Sequence, residues 1–134
     1  MGQMRMKILG VLKKAGSFGR LKFACIYGSA AEGKAGRLSD IDVCLYYDIK
    51  KEDRLRKLLY TIRGMMPGKY DVQLFQMLPV VVRKEVFRGK FIYCADKGLV
   101  YDLAFRTFKE YDDFEPRYKF NVMNTRLKPH RVLL

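Results

Sequence analysis

Two aspartates, Asp40 and Asp42, have the spacing in this chain that most directly indicates chemistry. They stand at the start of a segment, 41–47, whose apolar residues alternate as they do in a β-strand. Residues i and i+2 of a strand point to the same face, so the two carboxylates are expected to converge on one spot. Carboxylates in such proximity repel one another and are costly to desolvate, and a cation between them relieves both penalties. Because hard oxygen ligands favour Mg²⁺, the pair predicts a magnesium site.

A Gly28-Ser29 pair precedes Asp40 by ten residues and directly follows the strand-like segment 21–27. We expect residues 29–34 to open a short helix, and a strand-to-helix turn of this kind can present backbone N–H groups and a hydroxyl to phosphate. Phosphate and metal together indicate a nucleotide.

The basic loop that connects this turn to the aspartate pair contains Lys34 and Arg37. These two residues are candidates for direct contact with the phosphates of the nucleotide. The alternative is that the loop is a simple connection.

A third carboxylate, Asp71, occupies the second position of a strand pattern over 70–75. Flanked by Tyr70 and Val72, it needs a partner if it is buried, because an isolated buried charge is costly. The alternative is an acid on an edge strand that is exposed to water. Considered alone, the residues leave both possibilities open.

The elements that must position these side chains form an α+β pattern, a small mixed β-sheet covered by helices. Periodicity predicts a helix over 4–15, a strand over 21–27, a strand over 41–47, a helix over 55–66, a strand over 70–75, a short helical piece after Pro79 that runs to Gly89, a strand over 91–93 and a closing helix over 99–111. Asp96 is a plausible cap of the closing helix. The aromatic-rich stripe of that helix, which includes Phe105, Phe108 and Tyr111, is expected to lie in the core.

The length of 134 residues indicates one domain, which we predict over 1–116, followed by a basic tail over 117–134. Residues 1–22 contain six lysines or arginines and no acid, and residues 116–134 contain five and no acid, so the two ends carry +11 of the net charge of +13. A nearly balanced centre argues against one continuous nucleic-acid groove, and nucleic acid is not expected as a direct substrate.

The basic ends are either solvated or part of a surface that contacts a partner protein. Three aromatic residues near the second basic end are candidates for the same surface: Tyr111, Phe114 and Tyr118.

Three cysteines, Cys25, Cys44 and Cys94, are odd in number and lack the paired spacing of a zinc site. All three are expected to be buried free thiols. No long apolar run typical of a signal peptide or membrane span occurs near the N-terminus, so we expect a cytoplasmic protein without membrane contact.

The order Gly28-Ser29, ten residues, Asp40-Ile41-Asp42 and later Asp71 on another strand resembles the signature of the DNA polymerase β-like nucleotidyltransferases. The spacer resembles that of the minimal members, which stand alone as small domains. In addition, the run Phe87 to Tyr93 and the segment 103–114 resemble the C-terminal part of the MntA-type antitoxins, which adenylylate a HEPN-family ribonuclease toxin. The resemblance covers roughly residues 5 to 116.

This resemblance implies a polymerase β-like fold and the transfer of AMP from ATP to a tyrosine of a partner HEPN-family toxin. It implies that Asp40, Asp42 and Asp71 are catalytic and hold two Mg²⁺ ions, with Asp71 also helping to deprotonate the acceptor hydroxyl. Gly28 and Ser29 would hold the β- and γ-phosphates. The chemistry agrees with these residue types, because two metal ions stabilise both the entering and the leaving oxygen of an in-line displacement.

Other functions stay open at this point. Nucleotidyl transfer to a small-molecule hydroxyl is disfavoured, because only about sixty residues follow Asp71 and could form an acceptor pocket. A non-enzymatic antitoxin would act by binding alone and would not need the three acids or Ser29. A template-directed polymerase is the least favoured, since the chain offers no second domain to hold a duplex. No Arg-x₄₋₆-His stretch of the HEPN type occurs, so a toxin must be another chain.

Overall fold

Four strands form one mixed sheet in the order β3-β2-β1-β4. The computed structural model describes the backbone of residues 2–31 and 40–124, and the side chains of these residues except Ser29 and 114–124. The elements are α1 (Gly2–Ala15), β1 (Leu21–Tyr27), β2 (Ile41–Tyr47), α2 (Glu52–Met65), β3 (Tyr70–Leu74), α3 (Val80–Val86), β4 (Lys90–Cys94) and α4 (Lys97–Asn124). The predicted α+β architecture is confirmed.

One face of the sheet packs against α1 and α2. Alternate residues of β2 point to this face, and Val43, Leu45 and Tyr47 are fully buried there. The two helices are amphipathic, and each contributes four buried residues: Ile8, Leu9, Val11 and Leu12 from α1, and Leu55, Leu58, Leu59 and Ile62 from α2. This larger core holds the central strands in a fixed register.

The opposite face carries a smaller, aromatic core beneath α3 and α4. Phe23 is fully buried there, and its ring packs edge-on against Phe75 at a centroid distance of 5.6 Å and tilted against Phe91 at 5.2 Å. Val100 and Leu103 of α4 pack against this cluster.

The strand directions bring four chain segments together at one end of the sheet, which we call the site edge. β1 runs antiparallel to both β2 and β4, and β2 runs parallel to β3. The end of β1 therefore lies beside the beginnings of β2, β3 and β4. The predicted turn after β1 and the acids at the start of β2 and β3 consequently share one edge.

The structure corrects several sequence predictions about α4 and its surroundings. The helical pattern was expected to dissolve at Asp112, but α4 continues to Asn124. Phe105 is 70% exposed, because the inward stripe of α4 runs through Val100, Leu103, Thr107 and Tyr111 instead. The division at residue 116 stays a prediction, and α4 crosses it.

Two predictions about exposure were wrong. Tyr111 was expected in the core stripe of the closing helix and was also a candidate contact residue. It is buried, with Lys84 Nζ 4.0 Å from its ring centroid, so the first prediction is confirmed and the second was wrong. Cys25 and Cys44 are buried free thiols as predicted, whereas Cys94 is exposed because it ends β4 at the sheet margin. The side chains of Phe114 and Tyr118 lie outside the described residues.

Smaller details agree with the sequence. The backbone N–H of Leu99 donates to Asp96 Oδ1 at 3.1 Å, so Asp96 caps α4 as predicted. β3 ends at Leu74, one residue earlier than expected, and Phe75 begins a 3₁₀ turn. No helix in the described part of the chain is both long and apolar enough to cross a membrane.

The turn between α3 and β4 lies directly on the end of β1. A Cβ added at Gly89 would collide with the backbone oxygen of Ile26 and come within 2.9 Å of Cys25 Sγ. The Cys25 thiol lies 3.2 Å from the carbonyl oxygen of Val86, to which it donates. Glycine at 89 is therefore what allows β4 to pair with β1 beside the site edge.

Replacing Gly89 with alanine is expected to lower the free energy of unfolding by about 1–3 kcal/mol, because the added methyl group overpacks a rigid backbone contact. Urea unfolding of the purified variant measures this change. Gly10→Ala is the matched control. Among the described residues no neighbouring heavy atom lies within 4 Å of a Cβ at Gly10, which is inside α1. That change should stabilise the fold by up to about 1 kcal/mol. A Gly89→Ala variant as stable as the wild type would contradict the argument.

Candidate active site

Three side chains form a row across the site edge of the sheet. Asp42 of β2 is in register with Asp71 of the parallel strand β3, and with Tyr27 of the antiparallel strand β1. Residues in register on neighbouring strands project from the same face, with Cβ atoms about 4.5–5.5 Å apart in an antiparallel pair. The row therefore places two carboxylates and one phenol on the face that also carries the aromatic core.

Asp40 lies just outside this row. It precedes β2 by one residue and is exposed to solvent, so its position is set by the chain entering the strand and not by the pleat. Asp71 is also exposed, on the edge strand β3. Of the two possibilities that the sequence left open, the structure thus agrees with an exposed acid on an edge strand. Its register nevertheless places it beside Asp42.

Burial and neighbouring charge both disfavour the ionised form of Asp42. Its side chain is half-buried, and burial raises the pKa of the carboxyl above its usual value of 3.8. The negative charges of Asp71 and then Asp40 add to the same shift. Since both neighbours affect it, the carboxylates form one electrostatic unit centred on Asp42.

Gly28 shapes this unit from the end of β1. Its φ angle is +72°, a left-handed conformation that favours glycine, and a Cβ there would lie 2.6 Å from Asp42 Oδ2. The sequence predicted a glycine that lets a phosphate approach. The structure adds that the residue must be glycine to leave room for the Asp42 carboxylate.

The rest of the predicted phosphate site is only partly described. Gly28–Ala30 form a 3₁₀ turn, in which the N–H of Ala31 donates to the carbonyl oxygen of Gly28 at 3.2 Å. The predicted helix over 29–34 is thus a 3₁₀ turn in its described part. Lys34 and Arg37 lie outside the described residues.

Two residues of the site were missed by the sequence reasoning. Tyr27 is buried beside the acids, and burial followed by neighbouring charges, among them Asp42 and Asp71, raises the pKa of its phenol above the usual value of 10.0. Gln73 donates from Nε2 to Asp71 Oδ1 at 3.0 Å. The signal for both was available, because Tyr27 precedes the Gly-Ser pair and Gln73 follows Asp71 by two residues on the same strand face.

The donor set fits a hard cation, because carboxylate oxygens are the ligands that Mg²⁺ prefers. Within 2–31 and 40–124, however, no three acidic, histidine or cysteine side chains stand close enough together to hold one ion by themselves. Proteins often bind Mg²⁺ through one or two carboxylates and complete its coordination with substrate phosphates. The row beside the Gly28 turn suits that arrangement better than a preformed protein cage.

Comparison with known proteins decides the family. Residues 7–98 match the family model of polymerase beta nucleotidyltransferases, which is more than half of the chain. The chain belongs to this family. The resemblance predicted from Gly28-Ser29 and the three acids is confirmed at this level.

Individual relatives are more distant. A protein of Methanocaldococcus jannaschii, MJ1547, which is assigned as a protein adenylyltransferase, is 27% identical over 100 residues, or 75% of this chain and 77% of its own length. Among solved structures, a toxin–antitoxin complex with AMP-PNP contains a chain that is 17% identical, with a TM-score of 0.73 over 91% of this chain and 98% of that one. The tri-AMPylated Shewanella oneidensis HEPN toxin in complex with MNT antitoxin gives a TM-score of 0.69 at 16% identity, over 94% of this chain and 99% of that one. These structures confirm the nucleotidyltransferase fold.

Asp42→Asn is expected to stabilise this nucleotidyltransferase near pH 7. The carboxyl keeps its proton to a higher pH in the folded chain than in the unfolded chain, where its pKa is close to 3.8. The folded state therefore loses stability as pH rises through 3.8 towards the folded-state pKa, and this cost is fully present above that value. An amide carries no charge and removes the cost.

Thermal unfolding between about pH 4 and pH 7 measures this effect, and the advantage of Asp42→Asn should shrink as the pH falls. Asp48→Asn is the matched control, because it removes one negative charge from an exposed position just after the other end of β2. A stability difference that does not change with pH, or a less stable Asp42→Asn variant at pH 7, would contradict the prediction.

Proposed function

We propose that this protein transfers AMP from ATP to a tyrosine of a partner HEPN-family toxin and thereby acts as the antitoxin of a pair. One observation carries the proposal: the row of carboxylates lies beside the Gly28 turn at a single sheet edge. This arrangement brings metal-ligating oxygens next to a backbone turn suited to phosphate. Because ATP and such a toxin would both be cytoplasmic, we expect the protein to act in the cytoplasm.

The nature of the acceptor rests on the relatives. MJ1547 is assigned as a protein adenylyltransferase. One solved relative is a toxin–antitoxin complex with AMP-PNP, and another contains a tri-AMPylated HEPN toxin with MNT antitoxin. Their folds extend over more than nine-tenths of this chain, which supports the same partner class for it.

Each acid has a role that follows from its position. Asp42 is in the centre of the row, and Asp40 at the entrance of β2 would hold an ion together with it. Asp71 would complete a second ion site with them from β3. Two Mg²⁺ ions, when bound, supply positive charge to the entering and leaving oxygens of the displacement.

The remaining groups bind and orient the nucleotide and the acceptor. The backbone of Gly28 and the hydroxyl of Ser29 would hold the β- and γ-phosphates, with Lys34 and Arg37 as further phosphate contacts. The acceptor oxygen forms a bond to the α-phosphorus while the bond from that phosphorus to the bridging oxygen breaks, and pyrophosphate leaves with the electron pair. Asp71 takes up the hydroxyl proton as a general base.

The structure favours catalysis over binding alone for a physical reason. Asp42 is half-buried near two other acids, and this arrangement costs stability. Destabilising groups of this kind are typical of functional sites, where activity requires them. A chain that acted only by occupancy would gain stability from a neutral residue at this position.

A small-molecule acceptor is supported less well. In the described chain, the residues after β3 form α3, β4 and α4, which pack on the sheet and its aromatic core. These described residues therefore belong to the nucleotidyltransferase fold itself and do not form a separate acceptor domain.

Purified protein mixed with ATP, Mg²⁺ and the toxin encoded beside it is expected to add adenylyl groups to a toxin tyrosine, detected by mass spectrometry. Asp42→Asn should slow this transfer by at least about a hundredfold, because it removes the central carboxylate. Asp48→Asn serves as a charge-matched control and should react normally. Absence of transfer by the wild-type protein under every condition would overturn the enzymatic proposal.

A second experiment separates catalysis from occupancy. The double variant Asp40→Asn/Asp42→Asn is expected to bind the toxin with nearly unchanged affinity while failing to relieve growth inhibition in cells that produce the toxin. Calorimetry measures the affinity, and colony formation measures the relief. Full relief by the double variant would favour the non-enzymatic antitoxin.

A further inference from the structure

A chain of hydrogen bonds connects Asp71, on the edge strand β3 of the described sheet, with α2. Gln73 lies two residues after Asp71 and therefore projects from the same face of the strand. Its Nε2 donates to Asp71 Oδ1 at 3.0 Å. One oxygen of the Asp71 carboxylate is thus engaged by a neutral amide.

The amide of Gln73 is itself held by Arg63 of α2. Arg63 donates from Nε at 3.0 Å and from Nη2 at 2.8 Å to the backbone oxygen of Val72. The same Nη2 lies 3.3 Å from Gln73 Oε1. Arg63 is therefore anchored on the backbone of the edge strand, and it contacts the glutamine from this fixed position.

The chemistry of the three groups determines which way the amide faces. A guanidinium has only donors, so the atom of Gln73 that faces Arg63 must be the oxygen. The amide nitrogen must then face Asp71, whose ionised carboxylate has only acceptors. A flipped amide would place donor against donor and acceptor against acceptor. The chain Arg63, Gln73, Asp71 is thus consistent in one orientation only.

We propose that Gln73 is a positioning residue of the transferase and that Arg63 determines the orientation of its amide. The inference rests on the proposed function. Gln73 holds Asp71 by Oδ1, which leaves Oδ2 for an ion and the acceptor hydroxyl. Because Asp71 is exposed on an edge strand, it lacks the packing that restrains Asp42, and a hydrogen bond must supply this restraint.

A neutral donor suits this position better than a cation. A lysine or arginine in direct contact with Asp71 would offset its negative charge and compete with the ion that the acid is to hold. An amide fixes the direction of the carboxylate while leaving its charge in place. The positive charge of Arg63 is not in direct contact with Asp71. Arg63 donates to the backbone oxygen of Val72 and contacts the far side of the Gln73 amide.

The contribution of this chain to folding should be small. The bonds from Arg63 to Gln73 and from Gln73 to Asp71 are both solvent-exposed. A hydrogen bond between groups that water can also solvate contributes little net stability, because folding only exchanges one set of hydrogen bonds for another. A loss of function that exceeds the loss of stability therefore separates a positioning role from a structural one.

The test uses Gln73→Met, which keeps the length of the side chain and removes the donor. Calorimetry measures the binding of Mn²⁺ together with an ATP analogue that has a methylene bridge between the α- and β-phosphorus atoms. We expect binding about tenfold weaker than in the wild type, the scale typical of residues that orient metal ligands. In the toxin reaction, kcat should fall by about tenfold while the KM for the toxin is unchanged.

A double-mutant cycle shows whether Gln73 acts through Asp71. Asp71→Asn weakens binding of the Mn²⁺ analogue complex, and adding Gln73→Met to it should cause no further loss. Additive losses in the double variant would overturn the proposal. So would a single Gln73→Met variant with unchanged binding and unchanged kcat.

Two arginines of α2 offer a matched comparison. Arg63→Ala is expected to weaken binding in the same direction as Gln73→Met. Arg56→Ala removes the same charge from the same helix, where Arg56 contacts only Glu52 at 2.7 Å among the described residues, and it should bind normally. Equal effects of the two arginine variants would indicate a general charge effect and would overturn the role of Arg63.

The binding measurement keeps this proposal separate from the proposed function. If the wild type binds the Mn²⁺ analogue complex but never modifies the toxin, the antitoxin proposal fails, and the cycle between Asp71 and Gln73 still decides the positioning role. If the wild type does not bind the complex at all, both proposals are overturned.

Discussion

Mutual repulsion of carboxylates at one end of the sheet is the constraint on which the rest of this structure depends. Asp42 is half-buried and has Asp71 in register on the next strand. The negative charge of Asp40, at the entrance of the same strand, further raises its pKa. Such an arrangement is unfavourable by itself, because burial and like charges both disfavour the ionised form. It persists because two cores hold the strands from opposite faces.

The two cores make different contributions to the site. The larger core, beneath α1 and α2, fixes the register of β2 against its neighbours through fully buried residues such as Val43 and Leu45. The aromatic core fills the other face and reaches the acids at Tyr27, which is in register with Asp42. Glycines make the close approaches at the site edge: Gly28 leaves room for the Asp42 carboxylate, and Gly89 lets β4 pair beside the turn.

Local periodicity predicted the helices and strands, because half-buried strands and amphipathic helices each repeat apolar residues at a characteristic spacing. The strand carrying Asp42 and the helix over 55–66 were predicted in this way.

The features that could not be predicted depend on contacts between different helices and strands. Phe105 was assigned to the core although it is exposed, because its burial depends on the line along which α4 crosses the sheet, and Cys94 was expected to be buried although it ends β4 at the sheet margin. The bond between Gln73 and Asp71 depends on Arg63, which reaches the strand from another element.

The central claim is that the acids and the Gly28 turn direct attack on the α-phosphorus of ATP. The most direct measurement uses the purified protein and its partner toxin with ATP labelled in turn at the α- and the γ-phosphorus. We predict that the α label appears on the toxin and the γ label in pyrophosphate, and that Asp42→Asn strongly slows the appearance of both products. Transfer of the γ label to the toxin, or undiminished transfer of the α label by Asp42→Asn, would contradict the claim.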